Sequence, residues 1–547
     1  MTWNHHHSRR VEFGIAASLT VVLVGLHLTV LTHAGALWRD EISSLRLATM
    51  PTLSGFWSSL ALDPFPALYF LLLRLWNAIG LARIDFDLRL LGCLIGLLLI
   101  ATLWWCCWRI NRRAPIWPLV LFALNPVVIQ FGDSLRAYGV GVIFIAVAFA
   151  SIWKLTFRKN GIGSFAVAIA AALLSVQTLF TNALLLFAIS FGALIVCIRR
   201  RLWWRAAAIF SVGLIAATSL LVYLPIFRRT REWSSLLVMP TRFSYVFAKY
   251  WQALAEGSSV VPYLWLCSML VAAIVAILSQ FGSRLKGFPD TDRDKILFSG
   301  VTLGTATFGT IIFFKVVSWP TSLWYFLPLM ALSALCLHVI YSTLFENVRV
   351  RFVGWVAVLG VAGISILPAQ RHSLIHLTNA DLMAQAVASQ AGKEDLVLVS
   401  PYFYAISFQR YYHGAAPWTA VPTVDDYSLH RWDLLKQAME ERDPIRATLE
   451  RVQTTLQKGH KIFLVGAFPY RGPKAPVPLA PAPQTPEGWW LQGYLHNWAA
   501  QTSFLIYQHA EHSRLFIVND PAPVSGMEHL LVFEVSGWKS EPVASAH

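Results

Sequence analysis

Long apolar stretches separated by short polar turns fill the first two thirds of the chain. A helix that crosses a bilayer needs about 20 mostly apolar residues, and stretches near this length recur from residue 13 to residue 369. The predicted spans are 13–35, 90–108, 115–135, 138–157, 163–181, 183–198, 206–227, 260–281, 296–317, 323–341 and 352–369. The pattern predicts a polytopic α-helical membrane protein with about eleven transmembrane helices.

Basic residues cluster at alternate ends of these spans. Arg9 and Arg10 precede the first span, and a cluster follows every even-numbered one. The clusters are Arg109, Arg112 and Arg113; Lys154, Arg158 and Lys159; Arg199, Arg200, Arg201 and Arg205; Arg284, Lys286, Arg293 and Lys295; and Arg349 and Arg351. Because cytoplasmic loops carry the excess of Lys and Arg, the N-terminus is predicted to be cytoplasmic. The first span lacks an A-x-A cleavage site and is expected to be retained.

The stretch DPFPALYFLLLRLWNAIG, residues 63–80, is apolar but is not predicted to span. It carries Arg74 in its middle, and an arginine at the bilayer centre costs about 3 kcal/mol. A helix along the outer interface keeps the alternation of basic loops intact. Residues 36–89 then form one long extracytoplasmic loop, which follows the first span.

The chain changes character after about residue 370. DLVLVS (395–400), KIFLVG (461–466) and HLLVFEVS (529–536) are typical of strands. Residues 428–457 have helical periodicity interrupted at Pro444, and the Pro-rich segment 472–488 is expected to be a loop. We therefore expect a transmembrane domain over 1–370 and a soluble extracytoplasmic α/β domain over 371–547.

Composition excludes several classes of protein. Of the 547 residues, 56% are hydrophobic and only 13% are charged, against about 25% charged in soluble domains. The net charge of +15 comes from short clusters between apolar spans, which excludes a continuous nucleic-acid-binding face. The six cysteines all fall within apolar spans, which favours buried packing over disulfides or metal ligands.

Two polar stretches at predicted outer turns carry the candidate chemistry. ALWRDEISSLRLATM (36–50) follows the first span and holds Asp40 and Glu41. NPVVIQFGDSLRAYGVGV (125–142) holds Asp133 and Arg136. Its FGDSL run resembles the serine motif of GDSL esterases, but no Asp in this chain is followed by His three residues later, as that family requires.

The charges in these stretches have structural and functional interpretations. Arg136 can bind phosphate oxygens through its planar fork, with Asp133 facing the same aqueous cavity as Asp40; alternatively it snorkels to headgroups with Asp133 as its partner. The acidic pair after the first span can also act as N-cap and first-turn charges of a short helix. Arg89 is expected to pair with Asp85 or Asp87, or else to approach a lipid phosphate.

Five stretches in order over residues 10–370 resemble the GT-C superfamily of glycosyltransferases. They are ALWRDEISS, DPFPALYFLLLRLW, DLRLLGCLIGLLL, NPVVIQFGDSLRAYGVGV and WYFLPLMAL. The branch that they resemble holds the protein O-mannosyltransferases, the aminoarabinose transferase of lipid A and the Rgt-type bacterial transferases. The resemblance implies inverting transfer of a sugar from a polyprenyl-phosphate carrier, on the extracytoplasmic face of the bacterial inner membrane.

The resemblance also implies roles for individual residues. Asp40 matches the first-loop acidic residue, which is the expected base or metal ligand, and Glu41 is its companion. Asp133 and Arg136 match the second acidic and phosphate-binding region, so Asp133 is expected to be a further catalytic residue, and Arg136 and Tyr138 are expected to bind the donor phosphate. A divalent cation, Mg²⁺ or Mn²⁺, shared by Asp40, Glu41 and Asp133 is a further expectation.

This sequence departs from the pattern at three positions. Relatives often have a histidine where Phe65 stands, an arginine where Trp324 precedes Tyr325, and a proline where Ala137 follows Arg136. The donor phosphate is therefore expected to use further cations. Arg89 is one, and the others, on an outer loop that breaks the positive-inside pattern, are Arg228, Arg229 and Arg231.

The chemistry agrees with this assignment. A lipid-linked donor is held at the bilayer by its tail, and the chain has no Walker A sequence and no dinucleotide fingerprint after a strand. The expected partners are a polyprenyl-phosphate sugar and a glycan, lipid or protein acceptor. The alternatives are a flippase of lipid-linked glycans, which predicts charges or breaks near the midplane of paired halves, and a non-catalytic scaffold, in which Asp40→Asn is silent.

Overall fold

The structure is a computed structural model that describes residues 2–63, 65–158, 161–239, 241–256, 258–281, 289–344, 348–468, 474–482 and 489–540. The predicted basic residues Lys159, Arg284 and Lys286 lie outside this part. So do residues 472–473 and 483–488 of the Pro-rich segment 472–488, and the side chains of Arg349 and Arg351.

Helices make up most of the described chain. They are α1 (Thr2–His33), α2 (Arg39–Ala48), α3 (Leu53–Ser59), α4 (Ala67–Ala78), α5 (Asp85–Asn111), α6 (Pro126–Gly132), α7 (Tyr138–Phe157), α8 (Ile162–Val176), α9 (Asn182–Arg199), α10 (Trp203–Ser219), α11 (Leu224–Thr230), α12 (Phe243–Ala255), α13 (Val261–Phe281), α14 (Asp290–Val317), α15 (Leu327–Leu344), α16 (Val348–Ser373), α17 (Ala380–Gln390), α18 (Tyr404–Tyr411), α19 (Trp432–Glu440), α20 (Arg446–Gln457) and α21 (Leu491–His509).

Nine helices in the described ranges are long and apolar enough to cross a membrane. They cover Arg9–His33, Asp85–Asn111, Tyr138–Phe157, Asn182–Arg199, Trp203–Thr230, Val261–Gln280, Asp290–Val317, Leu323–Leu344 and Gly354–Ser373. The chain is a polytopic membrane protein, as its hydropathy predicts.

Two of the predicted spans are shorter than expected. The region 115–135 divides into a π-helical segment, Pro118–Ala123, and α6. The break falls at Asn125, whose side chain accepts the backbone N–H of Val127, and Pro126 then begins α6. A proline has no N–H to continue the preceding helix. The predicted span 163–181 becomes α8, which has only 15 residues.

The apolar stretch that carries Arg74, which is not predicted to span the membrane, forms a short helix. Helix α4 has 12 residues, and at 1.5 Å per residue it is about 18 Å long, well below a hydrocarbon core of about 30 Å. Its length agrees with the predicted interfacial helix.

The Cα positions divide the chain into two compact units. Unit 1 consists of residues 1–33, 65–224 and 240–374, and unit 2 of residues 34–64, 225–239 and 375–547. Unit 2 thus combines the loop after α1 with the C-terminal part of the chain. The sequence-based domain limits at 370 and 371 stay a prediction.

Helices α5, α6, α7 and α15 matter most for the site in unit 1. Helix α15 is buried without interruption from Leu327 to Tyr341, so it lies in the core of the unit. Helix α7 is buried along most of its length. The loop between α6 and α7, which carries Asp133 and Arg136, is buried as well.

Unit 2 contains a five-stranded sheet. Its strands are β1 (Leu396–Ser400), β2 (Trp418–Ala420), β3 (Ile462–Gly466), β4 (His512–Phe516) and β5 (Val532–Ser536), in the order β2-β1-β3-β5-β4. Strand β1 runs parallel to β2 and β3, whereas β5 runs antiparallel to β3 and β4. The predicted C-terminal α/β fold is confirmed.

The central strands are apolar on both faces because both faces are covered. Val397 and Val399 of β1 face one hydrophobic core, which also holds Phe463 and Val465 of β3. Alternate residues of the same strands, such as Leu398, face a second core with α20 and α21. The helical segment 428–457 is interrupted around Pro444, as its sequence predicts, and gives α19 and α20.

The membrane orientation gives a labelling prediction. In intact cells, a cysteine at exposed Arg112 should resist an impermeant thiol reagent, because that turn is predicted to be cytoplasmic. A cysteine at exposed Lys393 should react, because it is predicted to be extracytoplasmic. The exposed native Cys267 is replaced by serine in both variants. Labelling at 112 with protection at 393 would reverse the predicted orientation.

Candidate active site

Helix α2 begins six residues after α1 ends and carries the first acidic pair. Glu41 is fully buried, and its Oε2 accepts the backbone N–H of Trp38, which caps the helix, at 3.3 Å. This contact satisfies one of the amide groups that a helix N-terminus leaves without a partner. In the structure Glu41 therefore has the capping role that its sequence position allowed, and a catalytic role for it stays a prediction.

Asp40 is the more accessible member of the pair. Its side chain is 22% exposed, and its Oδ1 lies 3.1 Å from Nε2 of His430. Nε of Arg39 is 3.8 Å from the same oxygen. The hydrogen bond with His430 and the ion pair with Arg39 thus orient a carboxylate that solvent still reaches. A carboxylate that is not closed off by the fold can come within hydrogen-bond reach of a substrate hydroxyl, which a general base must do.

Arg39 links α2 to a buried carboxylate that the sequence did not indicate. Oε2 of Glu528 accepts the backbone N–H of Arg39 at 3.1 Å and its Nη1 at 3.3 Å, while the hydroxyl of Ser407 donates to Oε1. Burial raises the pKa of Glu528 to about 7, although Arg39 and Ser407 act against this shift. Glu528 therefore anchors the first residue of α2.

These contacts place α2 beside the carboxyl ends of the parallel strands. The guanidinium of Arg39 lies 4.8 Å from the ring centroid of Phe403 and 5.7 Å from that of Tyr404, in the segment after β1. His430 belongs to the segment after β2. In open α/β sheets ligands bind outside these strand ends, so Asp40 occupies the part of unit 2 where a ligand would be expected.

In unit 1, Asp133 is buried against a histidine of the first membrane helix. Nδ1 of His27 lies 2.9 Å from Oδ1 and 2.7 Å from Oδ2 of Asp133, and both side chains are almost fully buried. His27 is not among the site residues predicted from the sequence. Its position in the first predicted span could have identified it, because an ionisable residue within a membrane span marks a functional site by default.

Two glycines of α5 let this pair approach the helix. A Cβ at Gly96 would lie 2.1 Å from Oδ1 of Asp133 and 2.5 Å from Nδ1 of His27. A Cβ at Gly92, four residues earlier on the same face, would lie 1.9 Å from the carbonyl oxygen of Asp133. The run GCLIG thus has the small-xxx-small spacing that allows close approach in membranes.

Gly96→Ala is therefore expected to displace the His27–Asp133 pair. Overpacking of this kind costs about 1–3 kcal/mol of stability, and we expect a lower melting temperature in detergent. Gly304→Ala is the matched control, because no atom lies within 4 Å of a Cβ built there. Equal melting temperatures for the two variants would contradict the assigned packing.

Arg136 lies in a buried aromatic environment. Its Cζ is 4.5 Å from the ring centroid of Phe65, a favourable cation–π distance. Tyr138 stands 5.5 Å from Phe65 and 6.1 Å from Tyr325, between ring centroids. Phe65 thus packs on the predicted phosphate-binding arginine and also contacts the ring of Tyr138.

The other predicted cations are distributed between the units. In unit 1, Arg89 is buried and close enough for its charge to act on the carboxylate of Asp133. In unit 2, Arg228, Arg229 and Arg231 are exposed, and Nη1 of Arg229 is 3.4 Å from the carbonyl oxygen of Ser58. A role for any of them at a donor phosphate stays a prediction.

The structure therefore groups the predicted residues in two sets. Asp133, Arg136, Tyr138 and Arg89 lie in unit 1, and Asp40 and Glu41 lie in unit 2 with the exposed arginines. The cavity predicted to join Asp40 with Asp133 and Arg136 involves both units and stays a prediction.

The carboxylates predicted to share a metal ion already have other contacts. Glu41 caps a helix, and both oxygens of Asp133 face His27. Within the described ranges, no group of three His, Cys, Asp or Glu residues is arranged to hold a metal. These residues as arranged do not fit a cation, and we derive no step through one.

Comparison with known proteins gives similarity at the level of the fold. No protein-family model matches the chain, and no curated protein matches it. The apo structure of ArnT from Cupriavidus metallidurans is similar with a TM-score of 0.49 and 12% identity, over 83% of this chain and 93% of that one. The same protein bound to undecaprenyl phosphate gives a TM-score of 0.46 and 11% identity, over 83% and 92%.

A third solved structure has the same general similarity. It is the oligosaccharyltransferase AglB from Archaeoglobus fulgidus, in complex with an inhibitory peptide and a dolichol-phosphate. Its TM-score is 0.46 at 10% identity, over 82% of this chain and 69% of that one. At this identity the similarities assign neither residues nor a reaction to this chain.

Proposed function

We propose that this protein is an inverting glycosyltransferase that moves a sugar from a polyprenyl-phosphate carrier to an acceptor hydroxyl outside the cytoplasmic membrane. One observation carries the proposal. Asp40, in the loop directly after the first membrane helix, presents a partly exposed carboxylate whose direction is fixed by His430 and Arg39. The order of motifs that resemble the GT-C superfamily supports it.

In the proposed reaction Asp40 acts as the general base. A neutral hydroxyl is a poor nucleophile, and a positioned base that removes its proton in the transition state contributes typically about 10²–10⁴-fold in rate. The acceptor oxygen forms a bond to the anomeric carbon as the bond from that carbon to the phosphate oxygen breaks. The electron pair leaves with the polyprenyl phosphate, and the configuration at the anomeric carbon inverts.

Arg136 stabilises the leaving group in this proposal. A phosphate monoester gains negative charge as the glycosidic bond breaks, and a fixed guanidinium in a site from which water is excluded favours that charge strongly. Its burial against Phe65 supports this role. The ring of Phe65 contacts that of Tyr138, with 5.5 Å between ring centroids, and apolar rings of this kind suit the first isoprene units of the carrier.

Asp133 has a supporting role in the proposal. Its charge is paired with His27 and influenced by Arg89, and it precedes Arg136 by three residues. The pair holds the loop between α6 and α7 against α5. We infer that it keeps Arg136 in place rather than contacting the acceptor.

The proposal is tested by sugar transfer in membranes. Membranes from a bacterial strain that lacks this gene supply the acceptor, and a panel of radiolabelled polyprenyl-phosphate hexoses, pentoses and amino sugars supplies the donor. We expect label to move from the lipid fraction to an acceptor only when the protein is restored. Label that crosses the bilayer while it stays on the carrier would indicate a flippase, and an unchanged distribution for every donor would indicate a scaffold.

A further inference from the structure

We infer that His430, from the C-terminal part of the chain, is the positioning residue for Asp40. The inference rests on the proposed function, in which Asp40 is the base. It adds that the base is oriented by a side chain 390 positions away, in the segment that follows strand β2 of unit 2. Sequence motifs in the first 370 residues do not indicate such a residue.

The hydrogen bond itself has one direction. An ionised carboxylate only accepts, so the ring N–H at Nε2 of His430 donates to Oδ1 of Asp40 across 3.1 Å. The histidine side chain is 11% exposed and the aspartate side chain 22%. A hydrogen bond to a charged group that solvent reaches only in part is among the stronger ones in a protein.

The imidazole ring is held from its other side. It stacks on Trp432 with 5.3 Å between ring centroids and an interplanar angle of 10°. Nε1 of Trp432 donates to the carbonyl oxygen of Leu62 at 3.0 Å, and its ring stacks on Trp233. The ring of His430 therefore cannot rotate freely, and its Nε2 stays directed at Asp40.

The backbone that carries His430 is fixed as well. The hydroxyl of Tyr402, just after β1, donates to the carbonyl oxygen of Leu429 at 3.0 Å and accepts the N–H of Arg431 at 3.1 Å. Arg431 itself pairs with Asp426 and Asp433. The residues on both sides of His430 are thus tied to the carboxyl end of a central strand.

The second ring nitrogen of His430, Nδ1, helps to distinguish a positioning role of this residue from a role in packing alone. Nδ1 of His430 is buried and has no hydrogen-bond partner among the described residues. Within the described part of the chain, the polar contact of the ring is thus the one with Asp40. A histidine kept only for packing would be replaceable by an apolar residue at little cost, whereas a positioning histidine needs a donor at the place of Nε2.

Three substitutions separate these roles. The amide nitrogen of glutamine reaches the place of Nε2, whereas that of asparagine reaches only the place of Nδ1. We expect His430→Ala and His430→Asn to lower kcat by about 10–100-fold, the size expected for loss of a hydrogen bond to a charged group. The KM for the lipid donor should change by less than about 3-fold, and His430→Gln should restore most of kcat.

The assay measures kcat and KM for a labelled polyprenyl-phosphate sugar with the full-length protein in lipid nanodiscs. His496→Ala, an exposed histidine on α21 of the same unit, is the matched control and should behave as the unchanged protein. Melting temperatures identify any variant that fails to fold. If His430→Ala is such a variant, the comparison of kcat between the glutamine and asparagine variants tests the positioning role by itself.

The outcomes are distinguishable. Full kcat in His430→Ala, with Asp40→Asn inactive, would overturn the positioning role and leave the proposed function standing. Equal losses in the glutamine and asparagine variants would overturn the assigned donor at Nε2. Full activity in Asp40→Asn would instead remove the base assignment on which the inference rests.

Discussion

Asp40→Asn is expected to reduce sugar transfer by about 10²–10⁴-fold, the contribution of a general base. Asparagine keeps the size of the side chain, and its carbonyl oxygen can still accept the hydrogen bond from His430. The helix cap is independent of this side chain, because Glu41 provides it. The measurement is the rate of label transfer from a polyprenyl-phosphate sugar, together with the melting temperature of each protein.

Asp425→Asn is the matched control for this variant, since Asp425 is an exposed carboxylate of the same unit. It should transfer sugar at the unchanged rate. A lost activity with an unchanged melting temperature supports the base assignment. An Asp40→Asn protein that retains its full rate would leave the proposed reaction without a base.

Arg136→Ala is expected to have the second largest effect. Removal of one electrostatic donor from a site that stabilises developing charge costs about 10²–10³-fold in kcat. The proposal places the phosphate of the bound donor on this arginine, so the KM for the lipid donor should rise as well. Kinetics at varied concentrations of polyprenyl-phosphate sugar measure both constants.

Arg136→Lys separates charge from geometry. Lysine keeps the positive charge but lacks the planar fork that binds two phosphate oxygens at once, so we expect partial recovery of kcat. Arg83→Ala, which removes an exposed arginine from unit 1, is the control. Arg136 packs on Phe65, so its replacement by alanine also leaves a cavity. Arg136→Gln removes the charge with a longer side chain and therefore checks that a loss of kcat in the alanine variant does not come from the cavity alone. Unchanged kcat and KM in both Ala and Gln variants would rule out the phosphate role.

The sequence predicts the membrane helices well because a helix that crosses lipid must be mostly apolar over about 20 residues. It predicts β1, β3 and β5 for a similar reason, since each is a short apolar run. Strand β2 has only three residues, and β4 is exposed along its length, so neither has an apolar pattern to detect. The expected third span is divided into two short helical segments because Asn125 and Pro126 interrupt it, a break that the apolar residues on either side conceal.

The sequence indicates some of the candidate site residues, but it does not indicate which residues contact one another. Asp40 and Arg136 stand out because they are charges beside apolar runs. His430 and Glu528 lie in ordinary polar segments, and only the fold brings them to α2. The pairing of Asp133 with His27 likewise joins residues 106 positions apart. Long-range contacts of this kind leave no local periodicity in a sequence.

The three-segment construction of unit 2 has a consequence for biosynthesis. Arg39 is bound by Glu528, which a ribosome reaches 489 residues later; at about 5–20 residues per second this takes roughly 25–100 s. During that interval the first loop has been made but lacks the partners that fix it. For that time each nascent chain therefore carries an unfinished segment that chaperones and proteases can reach, and a stop codon shortly before codon 528 would leave the segment in this state permanently.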